Sequence, residues 1–419
     1  MDRLAEMLIV EHDESLNKIQ RKLKFLQSVL DMCRQQWTAF DWTSIVMGLV
    51  IMFISSALCV MMISSPQNNS STKNKKIVNI LSTIILVSLC ISFTSNSYVN
   101  AGAETTGFVL ATMVCVIGMD ISKQRVHYEM LMILVLIRLS SEYVSYRRNV
   151  DGPLGCNEPV SMLHSVCPVV ALWFLFVCFS SQKVSFHIVT SAVSFLIVCV
   201  FWFIQSDDED SYLPTLVFLL CIIGVLKPHG EFILKLLCLL PLTLLSMGPR
   251  SPLSVLLLTS TGLGFLRFIS KKDTTRPPPP FACALFWCLL GYHGFFTTGH
   301  APEFASLQHS CGFVGMKGFD PVKSPFWVLL NTIFAPCGMA LSSPLLSSVL
   351  KSDITSSIAF FSTCMSFSAA FTAALHSRHL MVWAIFAPKF VAESCISICV
   401  LGALALGRFL RYTSYNISS

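Results

Sequence analysis

Charge is what this 419-residue sequence has least of: Asp, Glu, Lys and Arg make up 12% of it, against about 25% in a typical soluble protein. Hydrophobic residues supply 54%, so a soluble enzyme and a disordered chain are both excluded. The formal net charge is only +6, and no dense Lys/Arg cluster interleaved with aromatics occurs, which argues against a nucleic-acid partner. Zinc-type spacing is also missing, with no CxxC pair and no clustered Cys/His. The 17 cysteines outline no disulfide framework. Most sit inside apolar stretches, as Cys59, Cys90, Cys115, Cys199, Cys221 and Cys238 do, where a thiol behaves as a small hydrophobe. No apolar core near Met1 makes a cleavable signal peptide, and no fixed-period repeat is visible. A nucleophile beside its base, paired carboxylates and a carboxylate/His cluster are equally lacking. The run Asp207-Asp208-Glu209-Asp210 suits a solvated anionic turn better than a metal cage.

What the sequence has in quantity is apolar segments of membrane length. About 20 apolar residues cross a bilayer as a helix, and thirteen candidate spans can be read: 43–64, 77–97, 104–119, 126–142, 160–180, 184–205, 211–226, 230–248, 252–269, 281–297, 324–347, 354–375 and 380–407. The third and fourth are weak. Pro66-Gln67-Asn68-Asn69, Lys227-Pro228-His229-Gly230, Gly248-Pro249-Arg250 and the Pro277 to Pro280 run punctuate the intervals. Ahead of them, Leu16, Ile19, Leu23, Leu26, Leu30, Cys33 and Trp37 repeat at 3,4 spacing, which predicts an amphipathic helix. The expected architecture is an all-α, polytopic transmembrane helix bundle with an N-terminal amphipathic or linker region (1–42), a membrane domain (43–407) and a cytosolic tail (408–419).

Lys and Arg are unevenly shared between alternate loops, with fourteen in the set that starts after the first span and includes the C-terminal tail, and six in the other. The positive-inside rule places the richer set in the cytosol. An odd number of spans then puts the N-terminus across the membrane, where the sequence carries no signal to send it. A preceding segment is therefore expected. On this topology the sequons at Asn68, Asn69 and Asn416 face the cytosol and stay unmodified.

Ionisable groups at membrane depth are costly and need a partner or a function. Lys389 and Glu393, four residues apart in the last span, share a helix face and can neutralise each other; a structural pair and a contact with a lipid head group are both open. Arg138 and Glu142, ending the fourth span on the non-cytosolic side, have the same spacing. Lys235 has no near partner in sequence and is read as snorkelling. The stretch Gly291-Tyr292-His293-Gly294-Phe295-Phe296-Thr297-Thr298-Gly299-His300, with Glu303-Phe304 and Gly312-Phe313-Val314-Gly315 after it, has the composition of a re-entrant or tightly folded loop buried among helices. It is either a packed Gly-rich loop or a contact for a lipid or sugar phosphate.

Thr298-Gly299-His300 with Phe304, Gln308 and Gly312 to Gly315, together with Arg378-His379-Leu380-Met381-Val382-Trp383 and Phe386-Ala387-Pro388-Lys389-Phe390, resembles the C-terminal membrane region of the GPI ethanolamine phosphate transferases, in particular the type that modifies the third mannose. Met32-Cys33-Arg34 with Trp37, Phe40 and Asp41, and Ser95-Asn96-Ser97-Tyr98, extend the resemblance over residues 20 to 400. Ala301 departs from it, since a polar residue is expected after Thr-Gly-His.

The resemblance implies a multi-pass protein of the endoplasmic reticulum that helps move phosphoethanolamine from phosphatidylethanolamine to a mannose of the GPI precursor. It also implies a small hydrophobic stabilising subunit (PIG-F-like) as partner. The family's chemistry lies in a lumenal hydrolase-like domain with a Thr nucleophile and zinc, so no catalytic residue and no cofactor is expected within this chain. His300, Glu303, Phe304, Asn96, Arg138, Glu142, Lys389 and Glu393 are the candidate lipid or substrate contacts. Two other readings are a non-catalytic membrane subunit or regulator and a polytopic transporter. A transporter would show internal pseudo-symmetry and broken mid-membrane helices, neither of which the sequence displays.

Overall fold

The computed structural model describes residues 18–31, 42–64, 73–95, 101–119, 126–151, 162–180, 185–204, 211–227, 231–249, 251–270, 278–300, 309–377 and 382–415. Among these residues there is no strand. Residues 18–31 form α1. Thirteen helices follow: α2 (Trp42–Ser64), α3 (Lys73–Ser92), α4 (Gly102–Gly118), α5 (Val126–Asp151), α6 (Met162–Phe179), α7 (Phe186–Ile204), α8 (Leu213–Leu226), α9 (Phe232–Met247), α10 (Pro252–Ser270), α11 (Pro280–Thr297), α12 (Lys323–Leu350), α13 (Thr355–Leu375) and α14 (Ala387–Tyr415). A 3-10 turn at His309–Phe313 and a π-helical turn at Val382–Phe386 complete the set.

Each of the thirteen apolar segments in the sequence corresponds to one helix, but the helices are not alike. By length and composition, eight can cross a membrane, namely α2, α3, α7 and α10 to α14. Four apolar helices, α4, α6, α8 and α9, are shorter. α5 has length to spare, yet it carries Glu129, Arg138, Glu142, Arg147 and Arg148; it also runs nine residues beyond the expected end at 142. At the other terminus α14 continues unbroken past residue 407 to Tyr415.

The bundle is organised around α11, which packs against α3, α4, α5, α10, α12 and α13. Its side chains explain why six neighbours fit. Ala282, Cys283, Ala284, Cys288, Gly291 and Gly294 are small and buried, and lipid-embedded helices approach closely where such residues line up. A Cβ at Gly291 would lie 3.0 Å from Pro336 Cα, and one at Gly294 would lie 2.7 Å from Leu258 and 2.8 Å from Ala335. α12 therefore touches α11 almost backbone to backbone. Phe265 of α10 stacks on Phe286 at 3.9 Å, and Trp287 donates to Met339 O at 2.8 Å. These contacts fix the rotation of α11, so Tyr292 and His293 leave the helix toward different clusters.

Segment Gly291–Thr297 is the last part of α11 rather than a re-entrant loop; the chain leaves the helix only at Thr298. Proximity of neighbouring helices lets Gly-rich sequence stay helical here, because the glycines are packing surfaces. Lys235 also differs from its expectation. It is 1% exposed, and its Nζ donates to Thr413 Oγ1 at 3.0 Å, so it reaches α14 rather than water. α1 presents Ile19, Leu23, Leu26 and Leu30 on an exposed stripe, while Leu16, Cys33 and Trp37 lie outside the described residues.

Candidate functional site

Three polar constellations surround the C-terminal half of α11. The most open is a cleft of about 370 Å³ between α4, α5 and α11. Arg138 and Glu142 form an ion pair on its rim, one helical turn apart on α5 and largely solvent-accessible. Glu104 contributes a second carboxylate from the first turn of α4.

Deeper in the cleft lies His293, 2% exposed. Its Nε2 is 2.6 Å from Ser140 Oγ, and that hydroxyl also gives its hydrogen to Ile137 O at 2.8 Å. Nδ1 has no hydrogen-bond partner among the described residues. Gly107 keeps the cleft open beside it, since a Cβ there would meet Ser141 Oγ at 2.8 Å and His293 Cε1 at 3.5 Å. A cation on the rim, two carboxylates and an imidazole together suit a ligand that bears a phosphate and also donates hydrogen bonds, through an ammonium or hydroxyls.

The second constellation is interior. Lys389 Nζ lies 2.5 Å from Glu393 Oε1, with the side chains 8% and 3% exposed. The ammonium also faces the rings of Phe93 at 4.8 Å and Tyr292 at 5.1 Å, which supply further negative potential in a low-dielectric site. Ser366 donates to Glu393 O at 3.0 Å. A cavity of about 30 Å³ beside Glu393 and Tyr292 is otherwise mainly apolar. This arrangement ties α14 to α11, to α13 and to Phe93 just beyond α3.

The third holds down the end of α11. His300, 2% exposed, stacks on Phe295 at 4.9 Å, and its Nε2 lies 2.9 Å from Asn331 Oδ1. Asn331 in turn donates through Nδ2 to Ser246 O at 2.9 Å. Gly299 adopts φ 97 to make the turn, a conformation that costs glycine least. Farther along the chain, Gly315 O accepts from the amide of Ser211 at 3.1 Å. Asp320 lies there too, its carboxyl held below the usual range by the amides of Lys323 and Val322.

Of the eight sequence candidates, Asn96, Glu303 and Phe304 lie outside the described residues. Arg138 and Glu142 pair with each other at the cleft, Lys389 and Glu393 pair with each other inside the bundle, and His300 binds Asn331. α11 stands between these groups, with Tyr292 on the Lys389 side and His293 on the Arg138 side. Sequence reasoning passed over Ser140, Gly107, Glu104 and Asn331. A Ser-Ser-Glu run at 140–142 and a lone Asn in an apolar span were the available signals, but partners 153 residues apart, as Ser140 and His293 are, leave no local trace. Among the described residues, no three His, Cys, Asp or Glu side chains gather as a metal site.

No protein-family model matches the chain, and no solved structure matches it significantly. Among curated proteins, "GPI ethanolamine phosphate transferase 3" of Saccharomyces cerevisiae is 29% identical over 226 residues, which is 50% of this chain and 21% of the yeast protein. The protein of the same name from Schizosaccharomyces pombe is 31% identical over 121 residues, 26% of this chain and 13% of that protein. A third from Eremothecium gossypii is 25% identical over 213 residues. The chain is a distant relative of this family, and the matched part spans about a fifth or less of the curated relatives' length.

Proposed function

We propose that this chain is membrane machinery for a GPI ethanolamine phosphate transferase acting on the third mannose, and that it presents lipid substrates at one end of its helix bundle. The observation that carries this reading is the cleft between α4, α5 and α11, in a chain whose relatives bear that transferase name. Arg138 takes the phosphate of phosphatidylethanolamine or of the GPI precursor. Glu142 and Glu104 accept from ammonium or hydroxyl donors, with His293 lining the same cleft. The interior Lys389–Glu393 pair and the His300–Asn331 link hold α11 in the rotation that forms the cleft.

On this reading the cleft end faces the lumen of the endoplasmic reticulum and the C-terminus faces the cytosol, following the Lys/Arg asymmetry of the loops. A small hydrophobic stabilising subunit packs on the bundle. The transfer step itself belongs to a zinc-containing hydrolase-like domain rather than to these helices. The test uses the purified chain in phospholipid nanodiscs with GPI intermediates lacking the third-mannose phosphoethanolamine. Retention of phosphatidylethanolamine, weakened in Arg138→Gln, with no transfer to the glycan is the expected result. Robust transfer by the chain alone would refute the division of labour, and unchanged retention in Arg138→Gln would remove the cleft from it.

A further inference from the structure

The opposite end of the bundle from the charged cleft carries a second, larger basin of about 690 Å³, where α12 ends, α13 begins and α14 ends. Three cations line it: Lys351, Arg408 and Arg411. Ser347, Ser348 and Ser352 line the same space. The carboxylate there, Asp353, is already engaged. Its Oδ1 accepts from Thr355 N at 3.0 Å and Thr355 Oγ1 at 2.7 Å, and its Oδ2 pairs with Arg408. Partial burial pushes the Asp353 carboxyl up, but the hydrogen bonds from Thr355 and Arg408 outweigh it and hold the group below its ordinary value. The basin therefore stays positive, and its acceptor is spoken for.

Lys351 adds a separate observation. It sits at φ 52, ψ 33 as the left-handed residue that closes α12, and it is the one non-glycine residue with positive φ among the described residues. Helices that end this way usually place glycine there, because a side chain is strained in that conformation. A strained residue retained in place of the comfortable one points to a use for its side chain. Here that side chain is a cation on the basin wall.

A third observation says what kind of anion arrives. The exposed face of α14 carries Val391, Ile398, Leu401, Leu406, Phe409 and Tyr412, a stripe at helical spacing that runs up the helix into the basin beside Arg408. An apolar track that ends at clustered cations and serines matches acyl chains below a phosphorylated head group. A soluble phosphate would use the basin and ignore the track.

We propose that this basin is a binding site for an anionic phospholipid, whose head-group phosphate sits among Lys351, Arg408, Arg411 and the serines while its acyl chains lie along α14. The proposal rests on the fold alone and stands apart from the reading of the cleft. Phosphate oxygens accept from Lys351 Nζ and from the Arg408 guanidinium that Asp353 orients. Arg411 donates to Pro344 O at 3.1 Å, which braces α14 against α12 and sets the width of the basin.

The test is native mass spectrometry of the 419-residue chain released from phosphatidylcholine nanodiscs doped with phosphatidylserine or with phosphatidylinositol 4-phosphate. The wild type is expected to retain anionic lipid in preference to phosphatidylcholine. Lys351→Gln combined with Arg408→Gln and Asp353→Asn lowers that retention roughly fivefold, as the net loss of one positive charge near anionic lipid implies. Lys323→Gln, the same charge change at the other end of α12, leaves it unchanged. Lys351→Gly separates lipid binding from folding: it relieves the strained backbone, so the melting temperature holds or rises while retention falls. Wild-type retention in Lys351→Gly and in the triple variant would overturn the proposal. Stabilisation by inorganic phosphate in lipid-free detergent, lost in the same variants, with no preference among lipids, would assign the basin to a soluble anion and overturn the lipid assignment.

Discussion

α2 and α11 are both apolar helices long enough to cross a bilayer, and they sit at opposite extremes of burial. None of the membrane-length window of α2 is buried, whereas 83% of that in α11 is. α2 rests on α13 and offers Ile51, Phe53, Met61 and Met62 outward. α11 is the less hydrophobic of the two, built from Ala, Cys, Gly, Tyr, His and Thr as well as Leu and Phe. In water the ordering would be reversed, with the greasiest helix innermost. In lipid, hydrophobicity keeps a helix in the membrane without choosing its neighbours. Small residues and satisfied polar groups choose them, and α11 has both.

That contrast can be strained first at the Lys389–Glu393 pair. Lys389→Leu leaves the buried Glu393 carboxylate without its cation, and breaking a buried pair costs about 3–5 kcal/mol. Thermal unfolding in detergent should show a large loss, and adding Glu393→Leu should restore most of it. A double variant as unstable as the single one would mean that the pair does not act as a unit. The next effect is steric. Gly294→Leu drives a side chain into Leu258 and Ala335, at about 1–3 kcal/mol for overpacking. Gly48→Leu on α2 meets nothing within 4 Å and should stay within about 0.5 kcal/mol of wild type. Equal costs would erase the distinction between the two helices.

Lys235→Leu sharpens it further. This lysine is as buried as Lys389 but bonds a hydroxyl rather than a carboxylate, so its loss strands no charge and should cost about 1 kcal/mol. The smallest effect belongs to Asp353. Its carboxyl lies below the ordinary 3.8, so its contribution is complete above that pH and disappears as pH falls through the lower, folded-state value. A melting curve taken on the acid side should show this loss in the wild type and not in Asp353→Asn.

Helix count and position were legible because each span is a run of apolar residues between turn-forming ones, a signal that lipid enforces along the chain. The i,i+4 pairs at Arg138/Glu142 and Lys389/Glu393 were legible for the same local reason. What could not be read was what surrounds the interior pair, since Lys389 faces Phe93 and Tyr292, nearly 300 and 100 residues away in the chain. The extent of α5 was hidden by its charges, which suggested a loop where a helix continues. For Gly291–Thr297 two readings competed, the end of span 281–297 and a Gly-rich loop, and the glycines favour the helix only once Pro336 and Leu258 are seen filling the space beside them. Ser140 and His293 meet only after two distant helices have packed.

The 14 residues of α8 rise about 21 Å, some 9 Å less than the hydrocarbon thickness of an ordinary bilayer, about 30 Å. Leu216, Leu219, Ile222 and Ile223 face outward along it, and its N-terminal end is tied to the segment ahead of α12 through Ser211 and Gly315. α12, with 28 residues, is about 42 Å long. An apolar stretch longer than the hydrocarbon tilts or thickens the lipid around it, and a shorter one thins it, so helices as unequal as α8 and α12 place opposite demands on the bilayer that holds them.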